Sequence, residues 1–394
     1  MILEETNKPH QKHAKLTRPD LGAFGRNELA IVGTTCANIK QLAYSIIERM
    51  PVYKIAYVDA DHKRGHEEEA NVVALTNGVS LEYTDKISFQ RVDSKTRLNP
   101  FQNRTLFNEQ HLVIVNGNHF AGRSQIVVVD PLKNLEKKID QLTDVRLILL
   151  KEADSGIPDF LQKLPGINSV PVLALQDVNA ISAFVRKFLQ ERVPSLHGLV
   201  LSGGQSSRMK KDKGSISYHG ISQRQYLYDL LSKHCIKTFV SCNAEQAVEI
   251  GDTVPLIQDS FLKMGPAGGV LSALRTDPNA AWLVVACDLP YLSESTIKYL
   301  VEHRNPAKNA TAFLDPDGQF PEPLVAIWEP RSYLTLLQFV GQGYSCPRKT
   351  LTNSDIELLT APDATEFLNV NSPDQYEDAV LNLRKRRQGN NTPE

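Results

Sequence analysis

The 394-residue sequence has no excess of charge of either sign: 44 lysines and arginines stand against 45 aspartates and glutamates, a net charge of −1. Bulk electrostatics therefore argue against nucleic acid or an anionic membrane as a partner. Long apolar runs are missing too. The opening stretch MILEETNKPHQKHAKLTRPD is too polar for the core of a signal peptide, and no segment approaches the about 20 apolar residues of a membrane span. A cytoplasmic location is the expectation. The five cysteines, Cys36, Cys235, Cys242, Cys287 and Cys346, are odd in number and never form a CxxC pair, which argues against a disulfide framework or a zinc knuckle. No internal repeat stands out, and no intact GxxxxGK[ST] phosphate loop is present. Its nearest likeness is GTTCANIKQ, Gly33 to Gln41, where Asn38 takes the place of the second glycine, Ile39 fills the lysine slot and Lys40 comes one residue late.

What is present is an alternation of short apolar runs with helical stretches, the pattern of mostly parallel sheets covered by helices. Strand-like runs are LAIVG from Leu29, KIAYVDAD from Lys54, HLVIVNG from His111, QIVVVD from Gln125, RLILLKEAD from Arg146 and VPVLALQD from Val170. The clearest helix is Val178 to Val193, with Ile181, Phe184, Val185 and Phe188 on one face. PSLHG, Pro194 to Gly198, reads as a linker, after which the alternation restarts with GLVLSGG. The expected architecture is α/β with two domains, each a mostly parallel sheet with flanking helices: a degenerate P-loop-like domain over 27–195 and a Rossmann-like one over 196–384. Polar tails are expected at 1–26 and 385–394. Leu81 to Gln110 is polar and weakly periodic, so loop is expected there.

The segment LVLSGGQSSRMKKDKG, Leu199 to Gly214, poses a specific question. Its letters Leu201-Ser202-Gly203-Gly204-Gln205 spell the signature loop of ABC-type ATPases. That loop works only beside a phosphate loop and an acidic strand end, whereas here the phosphate loop is broken and the next strand, KTFVSCN, ends without an Asp-Glu pair. Glycines after a strand also let backbone N–H groups approach a triphosphate, whose charge nearby cations neutralise. The pattern Leu201-Ser202-Gly203-Gly204-x-Ser206-x-Arg208-Met209-x-x-Asp212-Lys213 resembles the LAGGxSxRMGxDK loop of the MobA-like nucleotidyltransferases. Further stretches extend the resemblance from Leu199 to about Leu383: IQDSFLKMGPAGGVLSAL, WLVVACDLP, EPLVAIW and FLNVNSPDQ. The chain departs from the pattern at Ser202, Lys210, Leu289 and Ser372, and Lys210 stands where the family has a glycine.

The resemblance implies transfer of GMP from GTP to the phosphate of molybdopterin or its molybdenum-loaded form, with release of pyrophosphate. On this reading Lys213, Arg208 and Asp288 are catalytic, and Asp288 carries Mg²⁺. Leu201, Ser202, Gly203, Gly204, Lys213, Asn243, Asp259, Gly265, Pro266 and Asn371 line the nucleotide and acceptor cleft. Asp288 closes the apolar run LVVAC, the strand end at which α/β sheets place ligands, and a hard carboxylate suits Mg²⁺. Gly203-Gly204 points to GTP, since cytidylyl members tend to carry alanine before a single glycine. Asn243 reads almost equally well as a turn residue, and Ser372-Pro373-Asp374-Gln375 as a helix start. The alternatives are a cytidylyl or sugar-nucleotide transferase on the same fold, or a noncatalytic molybdopterin-binding scaffold.

The first half is similar to MobB, the P-loop GTP-binding partner of MobA, through its strand into a glycine-headed loop, VDADHKRGHEE, VIVNGNH and VPVLALQDVNAISAFVRKFL. With the lysine lost from the loop, no tight GTP binding is expected there. His62 and His66 beside Asp59, Asp61 and Glu67 to Glu69 read as a solvated charged surface in preference to a metal site. Expected partners are GTP and molybdopterin, with molybdoenzymes or other proteins of molybdenum cofactor assembly as recipients.

Overall fold

The computed structural model describes residues 26–60, 73–152, 154–202 and 212–389. Gly203, Gly204 and Arg208, with His62, His66, Asp61 and Glu67 to Glu69, lie outside the described residues. Two compact units divide the chain: one is formed by 1–21 and 60–107, the other by 22–59 and 108–394.

The larger unit holds two sheets. The first comprises β1 (Asn27–Val32), β2 (Ile55–Val58), β5 (Leu112–Asn116), β6 (Ser124–Val129), β7 (Val145–Leu150) and β8 (Val172–Ala174). Its order is β2-β5-β1-β6-β7-β8 and every pairing is parallel. Parallel strands need both faces covered, and the side chains alternate accordingly. Leu29, Ile31, Ile126 and Val128 pack with the helices Cys36–Glu48 and Val178–Gln190, while Val32, Val127 and Val129 pack on the other side with Leu135, Leu142 and Leu161. In the second of these helices Ile181, Val185 and Phe188 are buried and Phe184 packs beside them, as the spacing predicts. The six apolar runs of the first half all become strands.

The second sheet comprises β9 (Leu196–Leu201), β10 (Lys237–Cys242), β11 (Leu256–Gln258), β12 (Ala281–Ala286), β13 (Ala310–Leu314), β14 (Pro321–Trp328) and β15 (Glu357–Leu359), in the order β11-β10-β9-β12-β14-β13-β15. Only β14 runs antiparallel, to both β12 and β13. Val200, Val240, Leu283 and Val285 face one core cluster; Leu199, Leu201, Trp282 and Val284 face the other. Trp282 lies directly across from Trp328 in the β12–β14 ladder, and both are fully buried. Leu196 and His197, read above as linker, already belong to β9 and are buried, and Arg304 Nη2 donates to the Pro194 carbonyl at 2.9 Å just before them. Pairing with Ala281 and Trp282 of β12, and of His197 with Lys237 of β10, makes these residues strand.

Polar contacts join the two sheets. His111 Nδ1 accepts the backbone N–H of Lys54 at 2.9 Å, which leaves Nε2 to donate to the Ala307 carbonyl at 2.9 Å. Asn108 Nδ2 donates to the Arg331 carbonyl at 3.0 Å, Asn309 Nδ2 to Glu109 at 3.0 Å, and Lys54 pairs with Asp355 at 2.5 Å.

The smaller unit corrects one expectation. Within the stretch read as loop lie an antiparallel hairpin, β3 (Leu81–Asp85) with β4 (Gln90–Ser94), and a helix, Pro100–Leu106. Leu81 and Tyr83 are exposed while Glu82 and Thr84 are half-buried, so no apolar face betrays the strands. The helix buries no residue and is set locally: Asn99 and Gln102 form a capping box ahead of Pro100. Among the described residues, no helix is long and apolar enough to cross a membrane.

Candidate active site

In the second sheet β9, β10 and β12 are in parallel register, with Leu201 opposite both Ser241 and Ala286. The residues that follow these strands therefore emerge on one edge: Ser202 after β9, Asn243 after β10, Asp288 after β12. The chain fills the sheet outward from β9 in one direction and then, from β12, in the other. Such a reversal opens a crevice at the carboxyl ends of the two central strands.

Ser202 is buried and held from three sides. Its N–H donates to the Ser241 carbonyl at 3.0 Å, its Oγ accepts from Arg224 Nε at 2.8 Å, and its carbonyl accepts from Gln246 Nε2 at 3.0 Å. Arg224 also pairs with Asp212, to which Gln246 donates at 3.1 Å. These contacts anchor both ends of the glycine loop, Ser202 before it and Asp212 after it. Gly214 completes the anchor, because a Cβ there would come within 2.5 Å of Ser202 Oγ and 2.8 Å of the Arg224 guanidinium. Sequence reasoning missed Arg224 and Gln246, whose partners are remote in sequence and whose helices carry no local mark of them.

Asp212 aims Lys213 by capping the short turn Lys213–Ser215. Lys213 Nζ donates to Asn371 Oδ1 at 2.5 Å and lies 3.6 Å from Asp288 Oδ2. The Val370 N–H in turn donates to the Asp288 carbonyl at 2.9 Å, tying the NVN segment to the end of β12. Lys213, Asp288 and Asn371, far apart in sequence, thus converge at the mouth of the crevice. Asp288 Oδ1 is buried and has no hydrogen-bond partner among the described residues. Burial pushes the neighbouring Cys287 thiol up to about 12.

The remaining residues take other places. Asn243 caps the helix Ala244–Ile250, its side chain accepting from the Gln246 N–H at 2.8 Å. Asp259 follows β11 and accepts from Ser241 Oγ at 2.7 Å; burial raises its pKa, against the hydrogen bond from Ser241. Gly265 and Pro266 open the helix Pro266–Thr276, which packs beneath β9 and β10. Leu201 is buried at the end of its strand. Ser372 caps the helix Pro373–Gly389, its Oγ accepting from the Gln375 N–H at 3.3 Å, and that helix continues through part of the expected tail.

A second carboxylate was missed. Glu322, at the start of β14, is bonded by Arg348 at 3.1 Å, and Arg348 also reaches Asp315 at 3.4 Å. Burial, then the nearby Asp288 and Asp315 charges, raise the pKa of Glu322. Its neighbours in the sequence, Pro321 and Pro323, gave no hint of this.

In the first half, Gly33 keeps the loop geometry. Its φ is +100°, and a Cβ would stand 2.2 Å from the Val128 carbonyl. Ile39, in the lysine slot, is fully buried in the core, and Lys40 is exposed beside the Tyr44 ring. Thr34 donates to Asp130 at 2.6 Å and Asn38 to Thr34 at 3.0 Å, so the loop's polar groups bond one another.

Residues 198–354 match the MobA-like NTP transferase domain. A molybdenum cofactor biosynthesis bifunctional protein of Synechocystis is 35% identical over 182 residues, 46% of this chain and 52% of that protein. The chain thus spans about half the length of that relative. A molybdenum cofactor guanylyltransferase of Pseudomonas putida is 26% identical over 193 residues, 48% of this chain and all of that protein. The structure of molybdopterin-guanine dinucleotide biosynthesis protein A from Archaeoglobus fulgidus is 21% identical and covers 48% of this chain and 99% of its own, with a TM-score of 0.41. The segment that brings Lys213 to Asp288 is thus the part of the chain that is similar to MobA-like NTP transferase domains.

Proposed function

We propose that the chain transfers GMP from GTP to the terminal phosphate of molybdopterin and releases pyrophosphate, and that its first half derives from a MobB-like partner. The observation that carries this reading is the convergence of Lys213, Asp288 and Asn371 at the carboxyl ends of β9 and β12. Guanylyltransferases among the relatives support the reaction class. The acceptor phosphate attacks the α-phosphorus in line with the departing pyrophosphate, and no protein nucleophile is required. Catalysis is then positioning together with charge neutralisation. Ser202 and Asp212, on either side of the glycine loop, are clamped by Arg224 and Gln246. Lys213, restrained by Asn371, sets its ammonium against the charge on the transferred group, and Arg208 from the same loop is assigned alongside it.

Magnesium fits the residues present. Asp288 Oδ1 is a buried carboxylate oxygen with no partner among the described residues, and Mg²⁺ typically takes one or two carboxylates and completes its shell with phosphate oxygens and water. When bound, the ion would supply positive charge to the phosphates, with Asp288 as its protein ligand. Incubating the protein with Mg²⁺, molybdopterin and each α-labelled nucleoside triphosphate, while following pyrophosphate, tests the proposal. Release and labelled product with GTP are expected; binding of molybdopterin without turnover of any triphosphate would favour the scaffold reading.

A further inference from the structure

At the carboxyl ends of β1, β2 and β5 lies a cluster of reactive side chains that nucleotidyl transfer does not use. Cys36 is the first residue of the helix Cys36–Glu48 and is exposed. Its Sγ is 3.2 Å from Nε2 of His119, and Asn118 Nδ2 donates to it at 3.5 Å. The same imidazole nitrogen lies 3.9 Å from Asp59 Oδ1. Asp59 is held by the Tyr57 hydroxyl and by Asn116 Nδ2, each at 2.7 Å. Asn118 is fixed as well, donating to the Thr34 carbonyl at 3.0 Å and accepting from Lys138 Nζ at 2.8 Å.

We propose that Cys36 and His119 form a nucleophilic thiol–imidazole pair that exchanges with low-molecular-weight disulfides, a modification site built into the worn phosphate loop. A thiol is a strong nucleophile only as thiolate, and a hydrogen-bonded base is the usual means of producing one. His119 Nε2 is placed to take the proton. The Asp59 carboxylate then faces the imidazolium, while the Asn118 amide, the Lys138 ammonium and the N-terminus of the helix face the sulfur. Because Asp59 approaches the same nitrogen as Cys36, it serves as a charge partner and does not orient the ring through the opposite nitrogen.

The exchange balances without a further reagent. The Cys36 thiolate attacks one sulfur of RS–SR; a new S–S bond forms to Cys36 and the original S–S bond breaks. The leaving RS⁻ takes the proton from His119 and departs as RSH, so the small disulfide is the oxidant and Cys36 is oxidised to a mixed disulfide. Cys346 provides an internal reference, since it is exposed as well and its thiol has no polar partner among the described residues. Far-ultraviolet circular dichroism reports an intact first sheet, while Cys242, buried in the second, reports that sheet.

The test uses the full chain with oxidised glutathione and, separately, iodoacetamide at pH 7, with adducts at each cysteine followed by peptide mass spectrometry. Cys36 is expected to react at least about tenfold faster than Cys346, and His119→Gln to slow Cys36 at least about tenfold with Cys346 unchanged, as loss of a general base requires. A Cys36 rate no greater than that of Cys346 overturns the proposal without any variant. So does an unchanged Cys36 rate in His119→Gln. Should that variant lose far-ultraviolet dichroism and so betray unfolding, Lys138→Met replaces it; a several-fold slower Cys36 supports the proposal and an unchanged rate overturns it.

Discussion

Replacing Asp288 with asparagine should move activity and stability in opposite directions. The carboxylate has two unequal oxygens. Oδ2 lies 3.6 Å from Lys213 Nζ, with the two side chains 21% and 25% exposed, a partly solvated pair worth less than about 1 kcal/mol. Oδ1 is buried with no hydrogen-bond partner among the described residues, and an unsatisfied buried polar group costs about 1 to 3 kcal/mol. Asparagine keeps the shape and removes the charge, so the folded state should lose nothing or gain about 1 kcal/mol. In a domain of 150–250 residues that corresponds to a rise in Tm of zero to about 4 °C. Turnover, by contrast, loses a group that holds charge in the transition state, a cost of roughly 3 to 4 kcal/mol, or a hundred- to thousandfold in rate. Thermal melts without nucleotide, paired with pyrophosphate release at saturating GTP and Mg²⁺, measure both. A Tm lowered by more than about 4 °C would mean that Asp288 is structural. Turnover within about tenfold of the parent would remove it from the metal and phosphate assignments.

Turnover with GTP should exceed that with CTP, because a hydrogen-bonding pocket built for one base leaves its polar groups unpaired with another; equal rates would overturn the choice of base and leave the reaction class standing. A photoreactive GTP analogue should label peptides from 198–354 and none from 27–60, since buried Ile39 replaces the phosphate-loop lysine; labelling at Gly33–Gln41 would refute this. Lys213→Met should depress turnover about as much as Asp288→Asn, with the two effects falling short of additive in the double variant because the groups are in contact. Burial lowers the pKa of His111, both of whose nitrogens are engaged while it is neutral. The unfolded chain therefore takes up that proton first, and the stability owed to this contact is complete above about pH 6.5 and declines as pH falls below it. Urea denaturation across that range should show the decline, and His111→Gln should flatten it; an identical slope in the variant would assign the effect elsewhere.

Much of the architecture could be read from the chain because its central strands are buried on both faces, and such strands appear as unbroken apolar runs. LAIVG, LVIVN and WLVVA need no partner information to be recognised. The hairpin at Leu81–Ser94 escaped because its apolar side chains face solvent, inverting the pattern on which that reading depends. The candidate site divides in the same way. Asp288 and Lys213 announce themselves by adjacency to an apolar run and to paired glycines. Asn371, placed in the cleft by resemblance and readable also as a helix entry, has a partner that the sequence does not reveal, the 2.5 Å bond from Lys213. Arg224, Gln246 and Glu322 matter through partners 12 to 44 residues away, and nothing in their own neighbourhoods records that.

The facing tryptophans of β12 and β14 have an optical consequence. Trp282 and Trp328 are the chain's full complement of tryptophan, and both are sealed inside the second sheet. Emission excited at the red edge of the absorption band therefore senses that sheet alone, while far-ultraviolet circular dichroism sums over every helix and strand. Unfolding of the first sheet by itself would alter the dichroism and leave the emission maximum where it was. Following both signals through one melt would thus show whether the polar seam at His111 and Asn108 makes the two sheets one cooperative body or lets them come apart in turn.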